Sequence, residues 1–199
     1  MFSKKLSIFL SIFLISLLGA LFFIGGAMRA TGGVPTAPLD DTFIHFQYAK
    51  QIAHGNWFRY FPTAPISTGA TSFLYPIILA GGYIIGFTGL KLLWFAFFLG
   101  FLCLIATGYL IFNCGIYFKL KPGQALWIAL LTISNGYLLW GYFSGMEIAL
   151  QTFLTLTAII VAAQETNKGK LKWLPIWLVL LTLIRPEGFI AGALIAFYI

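Results

Sequence analysis

Six apolar runs, at 6–28, 72–87, 92–112, 125–140, 148–163 and 174–199, divide the chain, with short polar segments between them. A helix of about 20 mostly apolar residues crosses the hydrocarbon core of a bilayer. Most of the runs therefore predict membrane-spanning helices. The run at 72–87 is the weakest, because it is short, contains Pro76 and carries the Gly81-Gly82 pair, all of which disfavour a helix. The last run is interrupted by Arg185-Pro186-Glu187-Gly188, and the chain stops at Ala196-Phe197-Tyr198-Ile199 inside apolar sequence. That ending predicts the N-terminal part of a longer protein. Lys4 and Lys5 precede the first run, as in a secretory signal. The apolar stretch exceeds the roughly 7–15 residues of a signal core, and no A-x-A site follows, so an uncleaved first span is predicted.

Charge decides how the runs are threaded. If every run crossed, Lys119 and Lys121, and then Lys168, Lys170 and Lys172, would fall in outer loops. Cytoplasmic loops are the ones enriched in Lys and Arg. Laying 72–87 in or on the outer interface returns both clusters to the cytoplasm. The predicted fold is an all-α, polytopic transmembrane helical bundle, with residues 1–199 as a single membrane module. The N-terminus is cytoplasmic and spans lie at 6–28, 91–113, 124–140 and 147–163. The last run goes out, breaks at 185–188 and starts back. A long outer loop, 29–90, carries an amphipathic helix at 41–54 and a membrane-hugging helix at 72–87. Under this threading Asp40, Asp41, Glu147, Arg185 and Glu187 gather on the outer side.

Composition agrees. Sixty per cent of residues are hydrophobic, 9% are charged, and mean hydropathy is +0.95, against about 25% charged residues in soluble domains. The net charge of +7 is made of short Lys clusters that act as topogenic signals and does not indicate nucleic acid. Cys103 and Cys114 lie in one apolar run, about 16 Å apart on a helix, too far to bond, and no zinc-type spacing exists.

The candidate chemistry is in the outer loop and at two later breaks. Asp40 suits an N-cap for a helix starting at Asp41, with Gly55 ending that helix. One acid suffices for a cap, and ionisable groups packed among membrane segments mark functional sites. Asp41 and His45 are four apart and share a helical face with Tyr48. His45 suits orienting an aspartate, bonding a phosphate or plain packing, and His54 suits the helix C-terminus. No metal pair is read from two histidines nine residues apart. Arg59, within Asn56-Trp57-Phe58-Arg59-Tyr60-Phe61-Pro62, suits a sugar or phosphate, and its aromatic neighbours equally suit an interfacial belt. Ser67-Thr68-Gly69-Ala70-Thr71-Ser72 offers either a helix cap or an anion nest. Glu147 stands where a first-turn acid is favoured by the helix dipole. Arg185 and Glu187 flank a proline break, which frees backbone groups that need a polar cavity or protein partners. Arg185 is a candidate for a lipid phosphate. The pairs Gly82/Gly86, Gly141/Gly145 and Gly188/Gly192 have the spacing of close helix contacts.

Four pieces in order resemble the GT-C superfamily of polytopic glycosyltransferases: the stretch Asp40-Asp41-Thr42-Phe43-Ile44-His45 through Gly55; the stretch Ser67 to Pro76; Ser144-Gly145-Met146-Glu147; and Leu183-Ile184-Arg185-Pro186-Glu187-Gly188. The likeness is greatest to the protein mannosyltransferase and aminoarabinose-transferase branch, and it covers most of residues 1–195. It implies a GT-C-like N-terminal module and an inverting transfer of a sugar from a polyprenyl-phosphate donor to a hydroxyl of a lipid, glycan or protein acceptor. The active site would lie on the outer face of the cell membrane. By the resemblance Asp40, with Asp41 as the close alternative, is the general base. The other acid would orient the acceptor or share a divalent metal, as in some members. Glu147 matches an acidic position of the second outer loop, and Arg185 would lie near the donor phosphate; His45, Arg59, Glu147, Arg185 and Glu187 are the candidates for substrate binding. Members of this group often carry a large C-terminal region that this sequence lacks. Two other classes fit the same composition: a transporter or flippase, which also uses broken helices, and a non-catalytic membrane subunit.

Overall fold

A computed structural model describes residues 2–67, 69–167 and 169–198, apart from the side chains of Phe2 and Ser3. Thr68 of the hydroxyl run and Lys168 of the lysine loop thus lie outside the described residues. Among those described, every regular element is helical: α1 Phe2–Ala30, α2 Asp41–Ala53, α3 Leu74–Ile84, α4 Leu92–Tyr117, α5 Pro122–Ile133, α6 Gly136–Tyr142, α7 Ile148–Thr166, α8 Leu174–Ile184 and α9 Glu187–Tyr198. Three helical stretches, Lys4–Ala30, Gly89–Tyr117 and Ile148–Thr166, are long and apolar enough to cross a membrane. The expected all-α class holds, and helices α2 and α3 fall within the stretches 41–54 and 72–87.

Small residues set the packing of the long helices. An added Cβ on Gly100, Gly108 and Gly115 of α4 would meet, in turn, the Tyr142 carbonyl, Ile12 with Ile133, and Ala125. α5 and α6 therefore run antiparallel along α4. Phe13 meets Phe101 edge-on at 5.7 Å, Phe23 meets Phe143 at 6.1 Å, and Gly19 faces Leu139. These contacts lay α1 antiparallel to α4 as well. Asn167 bonds the Tyr117 hydroxyl, so α7 and α4 end at the same level. α9 folds back on α8, with Gly188 against Leu181 and Gly192 against Leu178. The Gly188/Gly192 pair thus makes the helix contact its spacing suggested.

One expectation is corrected. The stretch 124–140 is not one helix, because Asn135 ends α5 and caps α6, its side chain accepting the N–H groups of Tyr137 and Leu138. An Asn-Gly pair favours such a turn even inside apolar sequence. The last run breaks at an extended Arg185 followed by Pro186, and α9 starts at Glu187.

The two ends of the bundle differ. Lys4, Lys5, Lys119, Lys121, Lys170 and Lys172 share one end with Glu165. The opposite end holds Asp40, Asp41, Glu147 and Glu187, together with Arg29, Lys50, Lys91 and Arg185. Glu165, at the lysine end, accepts the N–H groups of Lys172, Trp173 and Leu174 and so caps α8.

Candidate functional site

The turn at 144–147 is clamped from two sides. Thr42, in the first turn of α2, donates to the Ser144 carbonyl at 2.9 Å. Tyr75, in the first turn of α3, donates to the Gly145 carbonyl at 2.8 Å. Gly145 has φ +81°, and a Cβ there would meet Thr42 and Leu93, so both backbone shape and space call for glycine. The clamp seats Glu147 at the N-cap position of α7 with 0% exposure.

Three elements converge on that carboxylate. His45 Nε2 of α2 lies 3.0 Å from Oε2, and Arg185 Nε of the α8–α9 turn lies 3.3 Å from Oε1. Thr71, ahead of α3, donates to Oε1 at 3.3 Å. The His45 and Arg185 separations are those of ion pairs. Their angles are poor, however, and Glu147 Oε2 and Arg185 Nε have no aligned hydrogen-bond partner among the described residues. His45 is 2% exposed and packs edge-on against Tyr75 at 5.5 Å. Burial raises the Glu147 carboxyl. The close approach of His45, the residue's own N–H and the Arg185 guanidinium together outweigh that, so its pKa lies below the ordinary 4.5. Glu187 Oε2 reaches Arg185 Nε at 3.4 Å. Two residues apart on a helix they could not meet, but Arg185 is extended (φ −155°, ψ 144°).

Asp40 and Asp41 sit at the start of α2, both exposed. Asp40 is the N-cap, as expected, and its carboxylate accepts the Asp41 N–H at 3.1 Å. Neither acid is brought onto Glu147. They stand at the same end, on the helix whose next turn carries His45. Arg59 is not part of the cluster, since its guanidinium donates to the Ala64 carbonyl within its own loop. Of the sequence candidates, then, His45, Glu147, Arg185 and Glu187 come together, Asp40 and Asp41 flank them, and Arg59 does not join. His54 bonds the Lys50 carbonyl with its ring, a local role at the helix end.

Sequence reasoning does not single out Thr71 or Tyr75. Both lie in the stretch Ser67 to Pro76, whose hydroxyls suit either a cap or a nest. Ser72 does cap, accepting the Tyr75 N–H at 3.0 Å, while Thr71 turns to Glu147. No group of three His, Cys, Asp or Glu suited to a metal occurs among the described residues. A divalent ion shared by Asp40 and Asp41 would have to take its other ligands from substrate or water. Comparison with family models, with curated proteins and with solved structures finds no match to this chain.

Proposed function

We propose that the chain is an inverting glycosyltransferase of the GT-C type, embedded in the cell membrane as a multi-pass module. The lysine end lies in the cytoplasm and the carboxylate end on the outer face. The observation that carries this reading is the placement of two exposed aspartates beside a buried His45–Glu147–Arg185 cluster, at the end of an apolar bundle opposite Lys4, Lys5, Lys119, Lys121, Lys170 and Lys172. Exposed acids on a short helix, anchored through its next turn, suit a general base that must meet a substrate at the membrane surface.

In the proposed reaction an Asp40 or Asp41 carboxylate takes the proton of an acceptor hydroxyl. The oxygen attacks the anomeric carbon as the bond from that carbon to the phosphate oxygen breaks. Polyprenyl phosphate leaves with the bonding electrons, and configuration inverts. General-base assistance of this kind contributes about 10²–10⁴-fold. His45, Glu147 and Arg185 fix the position of α2 against α7 and the α8–α9 turn.

The test is transfer from a labelled polyprenyl-phosphate sugar into the lipid, glycan and protein fractions of reconstituted membranes. Asn is as good an N-cap as Asp, so Asp40→Asn keeps the helix and removes the base. One of Asp40→Asn and Asp41→Asn is expected to lower transfer by about 10²-fold or more. Full turnover in both would remove the acids as the base.

A further inference from the structure

Two cavities meet on the α8–α9 hairpin. The first, about 400 Å³, lies between the 67–73 segment and the hairpin turn. The second, about 350 Å³, runs along the hairpin over Leu178, Gly192, Ala193 and Ala196. Thr182 and Leu183 line both, so the two adjoin at these residues. Each is within the size range of small-molecule sites. One end of the slot is lined by hydroxyls. The other, Thr182 apart, is lined by apolar groups.

The hydroxyls of the first cavity belong to Tyr48, Ser67, Thr71, Ser72 and Thr182. Their bonds within the protein determine what they can still offer. Thr71 gives its proton to Glu147, and Thr182 gives its own to the Leu178 carbonyl at 2.9 Å. Each is left with acceptor lone pairs. Tyr48 and Ser67 share one bond of 2.6 Å, and Tyr48 also accepts the Gly69 N–H. Ser72 keeps its proton after accepting from Tyr75. Its side-chain hydroxyls therefore present more acceptors than donors, which suits a ligand bringing O–H groups more than one bringing only acceptor oxygens, as a phosphate does.

Charge points the same way. No Lys, Arg or His is among the described residues lining the first cavity. The nearby Arg185 already faces two carboxylates, at 3.3 and 3.4 Å. Phe58 and Phe73, stacked at 5.7 Å, add an apolar face to the wall.

We infer that this slot binds an amphiphile with a neutral polyhydroxyl head and a long apolar chain, the head against Thr71 and Ser67 and the chain along α8–α9. In the transfer reaction it holds the acceptor and not the phosphate-bearing donor. The acceptor role rests on the transferase reading, and the binding does not.

The test uses the full chain in lipid nanodiscs and an alkyl glucoside with a photoreactive group on its chain. Crosslinks are expected within 178–196. Excess unlabelled alkyl glucoside should abolish them, and an alkyl phosphate of the same chain should compete about tenfold less well, a difference of about 1.4 kcal/mol. Thr71→Val removes the hydroxyl while keeping shape, and Ala193→Phe fills the groove from an exposed position of α9. Each is expected to lower labelling by about tenfold. Equal competition by the alkyl phosphate would overturn the inference. So would labelling spread over α1 and α4, or labelling indifferent to both variants. Sugar transfer is scored separately in the same samples. Labelling of the hairpin without transfer keeps the site and removes the acceptor role, whereas transfer without such labelling removes the site and keeps the transferase.

Discussion

Glu147 is the residue on which the carboxylate end turns. It is wholly buried and meets partners from three elements. Removing one partner of a buried ion pair typically costs about 3–5 kcal/mol, because the other charge is left unmet. Arg185 is a quarter exposed and keeps Glu187, so Glu147→Gln is expected at about 3 kcal/mol, the low end of that range. The pH dependence has a definite sign. The folded carboxyl titrates below 4.5, so the unfolded chain takes up the proton first as pH falls. The stability due to Glu147 is complete above about pH 4.5 and is lost as pH drops through the folded value. Thermal melts in mild detergent should therefore show a wild-type advantage over Glu147→Gln at pH 7 that shrinks toward pH 3. A gap that stays constant with pH would mean that the pairing is not ionic. Sequence alone marks Glu147 and Arg185 as odd charges in apolar surroundings. It cannot pair Glu147 with His45, because the two are far apart in the chain and periodicity informs only about near neighbours. Asp40 is legible as a cap because its partner is the next residue.

Among the elements, glycines decide which helices approach closely. A Cβ on Gly100 would stand 2.0 Å from the Tyr142 carbonyl oxygen, a backbone atom that cannot turn aside. Gly81, in α3, has nothing within 4 Å of the same construction. Gly100→Ala is expected to destabilise by about 1–3 kcal/mol through overpacking. Gly81→Ala should be neutral or stabilise by up to about 1 kcal/mol through helix propensity. Denaturation of the purified variants compares the two, and a tolerated Gly100→Ala would contradict the contact between α4 and α6. The ends of α2 are legible from the Asp40 cap and Gly55. The break between α5 and α6 escapes the hydropathy pattern, although Ser134-Asn135-Gly136 carries the turn chemistry. Hydropathy averages over such a triplet, and Asn135 shows itself only when its side chain is seen to accept from Tyr137 and Leu138.

At the scale of the molecule, the gathering of the Lys119–Lys121 and Lys170–Lys172 loops at the end of Lys4 and Lys5 is legible because the positive-inside rule acts on whole loops. It needs α3 to be withheld from the spans; α3 is, with α5, α8 and α9, among the shorter apolar helices and packs against α2 and α4. A cysteine placed at Lys121 or Lys170 should be silent to a membrane-impermeant thiol reagent added outside intact cells, and one at the exposed Thr63 should react. The reverse pattern would invert the orientation. The proposed chemistry depends on the lipid this end of the bundle engages. Native mass spectrometry of the mildly extracted protein reads that lipid directly. The account predicts a co-purifying polyprenyl phosphate or its glycosylated form, and bulk phospholipid alone, in a sample shown to be folded, would contradict it.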